Sequence, residues 1–146
     1  MDFSDEYFMR HAIREAIIAF ESDEIPIGAV VVANNKIIGR GHNQTQLMHD
    51  ITAHAEIIAI SSATEDIGAK YLEYCTLYTT LEPCVMCAGA LFWSKIEKVV
   101  IGASDSKFGY SQYGNLLHPK TKVVSGILID ECSNLLVDFF KKKRSS

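Results

Sequence analysis

The sequence predicts a single α/β domain spanning residues 1–146, built as a three-layer α/β/α sandwich with a central mixed sheet of about five strands flanked by helices. Two observations favour this class. Segments with helical apolar spacing alternate along the chain with short runs of β-branched and aromatic residues. The first such run, residues 29–33, is apolar at every position, which is typical of a strand covered on both faces.

The first part of the chain predicts a helix followed by a hairpin. Ser4 can cap a helix that continues through Phe20, because acidic residues follow the cap and apolar residues recur at helical spacing. Strands at residues 29–33 and 36–39 follow, joined by a tight turn of two asparagines.

The remaining elements alternate between helix and strand. In order, the pattern predicts a helix at residues 52–60, a strand at 75–80, a helix at 83–94, a strand at 98–102, a long loop at 102–122 with one short helix, a strand at 123–127 and a helix at 130–142. Pro83 fits the first helical position, where its missing N–H costs nothing.

Composition places the chain among globular proteins. Hydrophobic residues make up 48% and charged residues 22%, and no apolar run approaches the roughly 18 residues of a membrane span. The acidic N-terminal sequence, residues 1–6, lacks the basic start of a secretion signal, so we expect a cytoplasmic protein with reduced thiols. Four cysteines in that compartment indicate metal binding or catalysis before disulfides.

The charge is unevenly distributed. The net charge of −4 by itself argues against nucleic-acid binding, but residues 95–146 carry nine basic and five acidic side chains. Residues 141–144 read Lys-Lys-Lys-Arg. Such a tail can attract phosphates, or it can be a solvated helix end favoured by the helix dipole.

Two short segments carry the chemistry. Residues 54–56 read His-Ala-Glu, and residues 83–87 read Pro-Cys-Val-Met-Cys. His54, Cys84 and Cys87 can hold one zinc ion and leave a coordination position for water, which is the pattern of catalytic sites. A carboxylate at Glu56 can then move protons on and off that water. This arrangement suits hydrolytic deamination of a nucleobase.

Other interpretations of the Cys-x-x-Cys segment exist. Redox sites share it but do not call for the His-Ala-Glu segment, and a closed structural zinc site would need a fourth ligand. The candidates for that ligand are Cys75, Cys132, His42, His49 and His118. The two cysteines fall in apolar segments and are expected to be core thiols. We therefore favour an open site, and we expect zinc as the ion because thiolates and imidazole select it. For Glu56, the alternative to a catalytic role is a solvated glutamate in a first helical turn.

These residues resemble the zinc-dependent cytidine/deoxycytidylate deaminase superfamily and, within it, the bacterial tRNA-specific adenosine deaminases. The similarity covers nearly the whole chain in the family's order, at residues 6–10, 25–30, 52–56, 80–90 and 138–140. The resemblance implies a cytidine deaminase-like fold, zinc ligation by His54, Cys84 and Cys87, and proton transfer by Glu56.

The resemblance also implies substrate contacts. Asn43 matches an asparagine that hydrogen-bonds the flipped nucleoside, although a turn residue is the alternative. Asp105 matches an aspartate near the target ribose, and Ile27 and the Ala55 backbone match positions that line the base pocket. By the same analogy the protein is a homodimer that binds a tRNA anticodon loop and converts the wobble adenosine to inosine.

Two alternatives to this function stay open. A deaminase of a free base or nucleoside, such as guanine or cytosine, would use the same zinc chemistry. A non-catalytic, zinc-stabilised RNA-binding module would not need Glu56. Under the tRNA interpretation, a basic rim near the site is expected, with Lys107, Lys120, Lys122 and the C-terminal tail as candidates.

One stretch departs from the family pattern. Where many members continue with small residues, this chain has aromatic residues at Phe108, Tyr110 and Tyr113. These rings could stack on splayed RNA bases, or they could pack beneath the loop or in the dimer interface.

Overall fold

The computed structural model describes residues 3–145, so three residues of the predicted domain, Met1, Asp2 and Ser146, lie outside the described part. The elements in chain order are α1 (Asp5–Glu21), β1 (Gly28–Ala33), β2 (Lys36–His42), α2 (Thr45–Met48), α3 (Ala55–Ile67), β3 (Thr76–Leu81), α4 (Val85–Ser94), β4 (Lys98–Ala103), a 3₁₀ turn (Tyr110–Tyr113), β5 (Lys122–Ser125) and α5 (Ile129–Ser145). Among them, no helix is both long and apolar enough to traverse a bilayer.

The five strands form one mixed sheet in the order β2-β1-β3-β4-β5. β1 pairs antiparallel with β2 and β3, whereas β3, β4 and β5 run parallel. The ends of β3 and β4 and the beginning of β1 therefore lie at one end of the sheet. We call this the carboxyl end, marked by Leu81, Ala103 and Gly28.

Helices cover both faces of the sheet, which confirms the three-layer prediction. One core contains residues of α1 and α5 packed on the sheet, including Phe8, Met9, Ala12, Cys132, Val30, Val32 and Val100. The other contains residues of α3 and α4, including Ala55, Ala59, Ala88, Leu91, Val31, Leu77 and Val99. Alternate residues of β1 enter opposite cores, as its wholly apolar sequence predicts.

Local signals account for the first helix and the hairpin. The Ser4 hydroxyl accepts the N–H of Tyr7 at 3.2 Å, which confirms the predicted cap. Asn34 and Asn35 have φ of 50° and 58°, the left-handed pair that a two-residue hairpin turn requires.

The helices that border the site begin later than predicted. α3 starts at Ala55 because the Asp50 carboxylate accepts the N–H and the hydroxyl of Thr52, at 2.8 and 2.6 Å, and holds that segment in a turn. It also runs past residue 60 to Ile67, where Gly68 ends it. In α4 the cap is Cys84, so Pro83 precedes the helix and does not occupy its first position.

Two glycines of β2 bring α3 close to the sheet. A Cβ at Gly39 would lie against the carbonyl oxygen of Ala59, and one at Gly41 against the carbonyl oxygen of Ala55. The small side chains on both elements allow this approach. The first turn of α3 is thereby fixed at the carboxyl end of the sheet.

Candidate zinc centre and active site

Three metal-binding side chains meet at the starts of two helices. His54 is the cap of α3, Cys84 is the cap of α4, and Cys87 lies in the first turn of α4. The Nδ1 atom of His54 lies 3.6 Å from the Cys84 Sγ and 3.5 Å from the Cys87 Sγ. The structure thus brings together donors that lie about 30 residues apart in sequence, as expected for helix starts at one end of a sheet.

The donor geometry fits zinc. With Zn–S bonds of about 2.3 Å and Zn–N bonds of about 2.0–2.1 Å, a tetrahedral ion holds nitrogen and sulfur about 3.6 Å apart. The observed separations agree, and all three donor atoms lie within 4.8 Å of one another. Within residues 3–145, no fourth His, Cys, Asp or Glu joins this group. The arrangement therefore suits an open site better than a closed structural one.

The other candidate ligands lie outside this group. Cys75 and Cys132 are buried in the two cores, which confirms their prediction as core thiols. His42 Nδ1 lies 3.0 Å from a glutamate oxygen of α1. His49 ends α2, and His118 packs against the ring of Phe92.

The pKa values of the two zinc-site thiols shift in opposite directions. A hydrogen bond from Cys87, the nearby N–H groups of the first helical turn and the His54 ring lower the pKa of Cys84 to about 5. The same sulfur–sulfur hydrogen bond, together with burial, raises the pKa of Cys87. The metal-free pair therefore shares one proton, which must leave when a metal takes both sulfurs as thiolates.

Glu56 is buried beside these donors, with 4% of its surface exposed. Burial raises the pKa of Glu56 to about 7, and the neighbouring charge of Cys84 acts in the same direction. Glu56 is thus not the solvated glutamate of the alternative interpretation. Because Glu56 is two residues from His54, its side chain leaves the helix in a different direction from the imidazole.

Three of the expected substrate residues lie together. The Oδ1 atom of Asn43 accepts the N–H of Ala55 at 2.8 Å, and the N–H of Asn43 donates to the Ile27 carbonyl at 3.2 Å. These bonds join the residue before β1, the residue after β2 and the first residue of α3, next to His54. The carboxamide nitrogen of Asn43 is the group of this side chain that is left to donate to a ligand.

Asp105 lies on another side of the site, in the loop after β4. Its Oδ1 atom accepts the N–H groups of Lys107 and Phe108 at 3.0 and 2.9 Å. Its own N–H donates to Glu82 at 3.1 Å, and Glu82 is two residues before Cys84. Asp105 therefore shapes its own loop and is held to the Cys84 side of the site.

Two buried carboxylates were missed by sequence reasoning. Glu82 accepts the N–H and the hydroxyl of Ser111, at 3.0 and 2.6 Å. Glu24 accepts the N–H groups of Gln46 and Leu47, at 3.1 and 2.8 Å, and so caps α2, which was also not predicted. Each holds a loop beside the site. The available signal was a glutamate next to an apolar residue and one or two residues before a proline.

The three rings of the loop after β4 differ in burial. Tyr110 is buried in the core, and its N–H donates to the Pro83 carbonyl at 2.9 Å. Phe108 and Tyr113 are 64% and 66% exposed. Packing beneath the loop is thus the role of one ring, and the other two face outwards.

The basic residues predicted to form a rim near the site lie in different parts of the fold. Lys122 begins β5 opposite Lys98, so it and Lys120 lie at the end of the sheet away from Pro83. Lys107 is on the loop beside the site. In the C-terminal tail, Lys143 pairs with Asp23 at 2.6 Å, just beyond α1.

Comparison with known proteins agrees with this geometry. The family model for the cytidine and deoxycytidylate deaminase zinc-binding region matches residues 3–103. A tRNA-specific adenosine deaminase of Bacillus subtilis (strain 168) is 47% identical, with 96% of this chain and 91% of that protein covered.

Two solved structures share the fold. One, from a study of A-to-I editing by tRNA deaminases at the wobble position of transfer RNA, has a TM-score of 0.83 at 39% identity, over 89% of this chain and 99% of its own. A guanine deaminase from Nitrosomonas europaea has a TM-score of 0.83 at 27% identity, over 93% of this chain and 84% of its own. Sequence, fold and donor geometry agree, and the chain belongs to the zinc-binding cytidine and deoxycytidylate deaminase family.

Proposed function

We propose that this chain is a zinc-dependent hydrolytic deaminase that converts adenosine to inosine at the wobble position of a tRNA anticodon. The observation that carries the proposal is the buried Glu56 beside a complete His54, Cys84 and Cys87 donor set. Near full-length similarity to a tRNA-specific adenosine deaminase supports the substrate. The guanine deaminase shares the fold at lower identity, so the fold alone does not select the substrate.

In this proposal His54, Cys84 and Cys87 hold one zinc ion per chain. When bound, zinc acts as a Lewis acid that makes a water molecule nucleophilic near neutral pH. The chain contributes thiolates at helix starts, where unpaired N–H groups and the helix dipole favour the negative sulfur.

Glu56 moves the protons. Its carboxylate accepts a proton from the attacking water and returns a proton to the leaving amino group. The C6–O bond forms, the C6–N bond breaks, and adenosine plus water gives inosine plus ammonia. In the metal-free site burial raises the pKa of this carboxyl, which favours the protonated form that donates to the leaving group.

The remaining site residues orient the nucleoside. The Asn43 carboxamide nitrogen donates to it, Ile27 and the Ala55 backbone line the base, and Asp105 lies near the ribose. A base held in this way must leave its stack, which is how enzymes reach a target atom in nucleic acid.

The proposal extends to partners and location. A tRNA anticodon loop is the substrate, and a second copy of the chain is the partner. The dimer is supported by the exposed apolar residues on the outer face of α4, Val85, Met86 and Trp93. We place this single-domain enzyme of residues 1–146 in the cytoplasm, where the thiols it requires stay reduced.

Inosine formation tests the proposal. The zinc-loaded protein is incubated with an arginine tRNA transcript carrying an ACG anticodon, and in parallel with guanine, cytosine and cytidine. We expect inosine in the tRNA, none with Glu56→Gln at unchanged zinc content, and normal turnover with Glu65→Gln, an exposed position on the same helix.

Other outcomes have defined meanings. Ammonia from a free base with no inosine in tRNA would keep the zinc mechanism and move the protein to free-base deamination. Bound zinc and bound RNA without turnover would favour a non-catalytic module. Full activity of Glu56→Gln would overturn the role of that carboxylate.

A further inference from the structure

The loop between β4 and β5 presents aromatic rings to solvent beside the site. We propose that Phe108 and Tyr113 form a stacking platform for an unpaired RNA base next to the target nucleotide. This inference rests on the proposed function and adds to it a surface that recognises single-stranded RNA.

The loop is fixed close to the zinc donors. The N–H of Tyr110 donates to the carbonyl of Pro83 at 2.9 Å, and Pro83 directly precedes Cys84. Ser111, next along the chain, donates its N–H and its hydroxyl to the buried carboxylate of Glu82. The platform is therefore held in place before a ligand arrives, which reduces the ordering cost of binding.

The two rings lie on either side of a buried one. Tyr110 enters the core and leaves Phe108 and Tyr113 outside, each about two-thirds exposed. Both rings therefore project from one short loop, five residues apart in sequence. Their presence favours a surface that contacts another molecule.

Two charged side chains neighbour these rings in the loop, Lys107 and Asp105. Lys107 Nζ lies 5.6 Å from the centre of the Phe108 ring, so a cation accompanies the aromatic surface. One oxygen of the nearby Asp105 carboxylate is engaged by the N–H groups of Lys107 and Phe108. Aromatic rings with adjacent cations are the usual surface for single strands, where bases stack and phosphates pair.

The platform distinguishes RNA from a free base. When a target base flips into a pocket, its neighbours along the strand lose their stacking and lie outside the pocket. Exposed rings there can restack one of them. A free base enters whole and leaves nothing outside for these rings to contact.

A paired-change experiment tests the platform. Binding of an anticodon stem-loop RNA is measured by fluorescence anisotropy for the wild type and for the paired variant Phe108→Ala with Tyr113→Ala. The control is Tyr74→Ala, an 86% exposed tyrosine just before β3, at the other end of the sheet. A second RNA has abasic residues on both sides of the target adenosine.

We expect the paired variant to bind the intact stem-loop about 10-fold more weakly, as loss of base stacking predicts. Tyr74→Ala should bind like the wild type. Abasic flanks should weaken the wild type by a similar factor and leave the paired variant nearly unaffected, because both changes remove the same contact.

Three results would overturn the platform. The first is unchanged affinity of the paired variant for the intact stem-loop, and the second is an equal loss of affinity on the abasic RNA in the variant and the wild type. The third is a sedimentation coefficient of the paired variant that differs from that of the wild type, which would assign the rings to contact with a second copy. Failure of the proposed function is seen separately, as wild-type protein that forms no inosine in the intact stem-loop. Wild-type protein that also fails to bind it would overturn both proposals.

Discussion

Gly41→Ala tests whether the close approach of α3 to the sheet positions the active site. Gly41 lies on β2 against the first turn of α3, where an added Cβ would meet the Ala55 carbonyl oxygen and lie 2.7 Å from the Ala59 nitrogen. Carbon atoms normally approach such atoms to about 3.5 Å. The helix start would have to move by about 1 Å to admit the methyl group.

The size of the effect follows from what that turn carries. Overpacking of this kind typically costs about 1–3 kcal/mol of unfolding free energy. Ala55 stands between His54 and Glu56, so a displaced turn also moves a zinc donor and the carboxylate proposed to carry protons. A misplacement of about 1 Å can lower a catalytic rate about 100-fold.

The assay combines urea unfolding, zinc content and inosine formation. The matched control is Ser62→Ala at an exposed position of α3, away from the face of α4 proposed for the dimer. Because alanine is the better helix former, the control should keep or slightly raise the free energy of unfolding. If Gly41→Ala kept wild-type stability and turnover, the close approach would not be what positions the site.

Three further predictions concern ionisable side chains. In chelator-treated protein, the free energy of unfolding of the wild type relative to Glu56→Gln should fall as pH rises from about 4.5 to about 7, because the unfolded chain ionises this carboxyl before the folded one does. Measured by urea unfolding, this relative free energy should be about 3 kcal/mol lower above that range than below it. After zinc removal, iodoacetamide at about neutral pH should alkylate Cys84 first, because its pKa is lowered to about 5 while burial raises that of Cys75 and Cys132; peptide mass spectrometry reads the order. Glu82→Gln should lower the free energy of unfolding by about 2 kcal/mol and make the loop after β4 more sensitive to protease, because an amide donor would face backbone N–H groups.

Each of these has a contrary outcome. Parallel stability curves for wild type and Glu56→Gln would mean that the carboxyl is not held protonated by burial. Equal labelling of all cysteines, or protection that persists without zinc, would contradict the assigned acidity of Cys84. Unchanged unfolding and proteolysis in Glu82→Gln would remove Glu82 as the anchor of its loop.

Local chemistry made the zinc site predictable from sequence. His54, Cys84, Cys87 and Glu56 have side chains that such a site needs, and their short spacings carry the signal without a structure. The structure confirms that they meet. The hairpin and the Ser4 cap were predictable for the same reason, since a few adjacent residues determine them.

Boundaries near the site were less predictable because side chains outside the helix decided them. The Asp50 turn delays α3, and the Glu24 carboxylate stabilises a four-residue helix that periodicity alone does not reveal. At Asp50 a side-chain hydrogen bond to a backbone N–H competes with helix formation, whereas at Glu24 such bonds cap a helix that is too short to show periodicity.

The sequence by itself thus determined the fold class, the donor set and the carboxylate beside it, because each depends on residue type and local spacing. Only the tertiary structure decided that Asn43 bonds to Ala55, that Glu82 anchors the loop after β4, and that Tyr110 is buried while Phe108 is exposed. These features depend on contacts between segments 12 or more residues apart, where packing against distant neighbours selects one of several roles that the same side chain can fill.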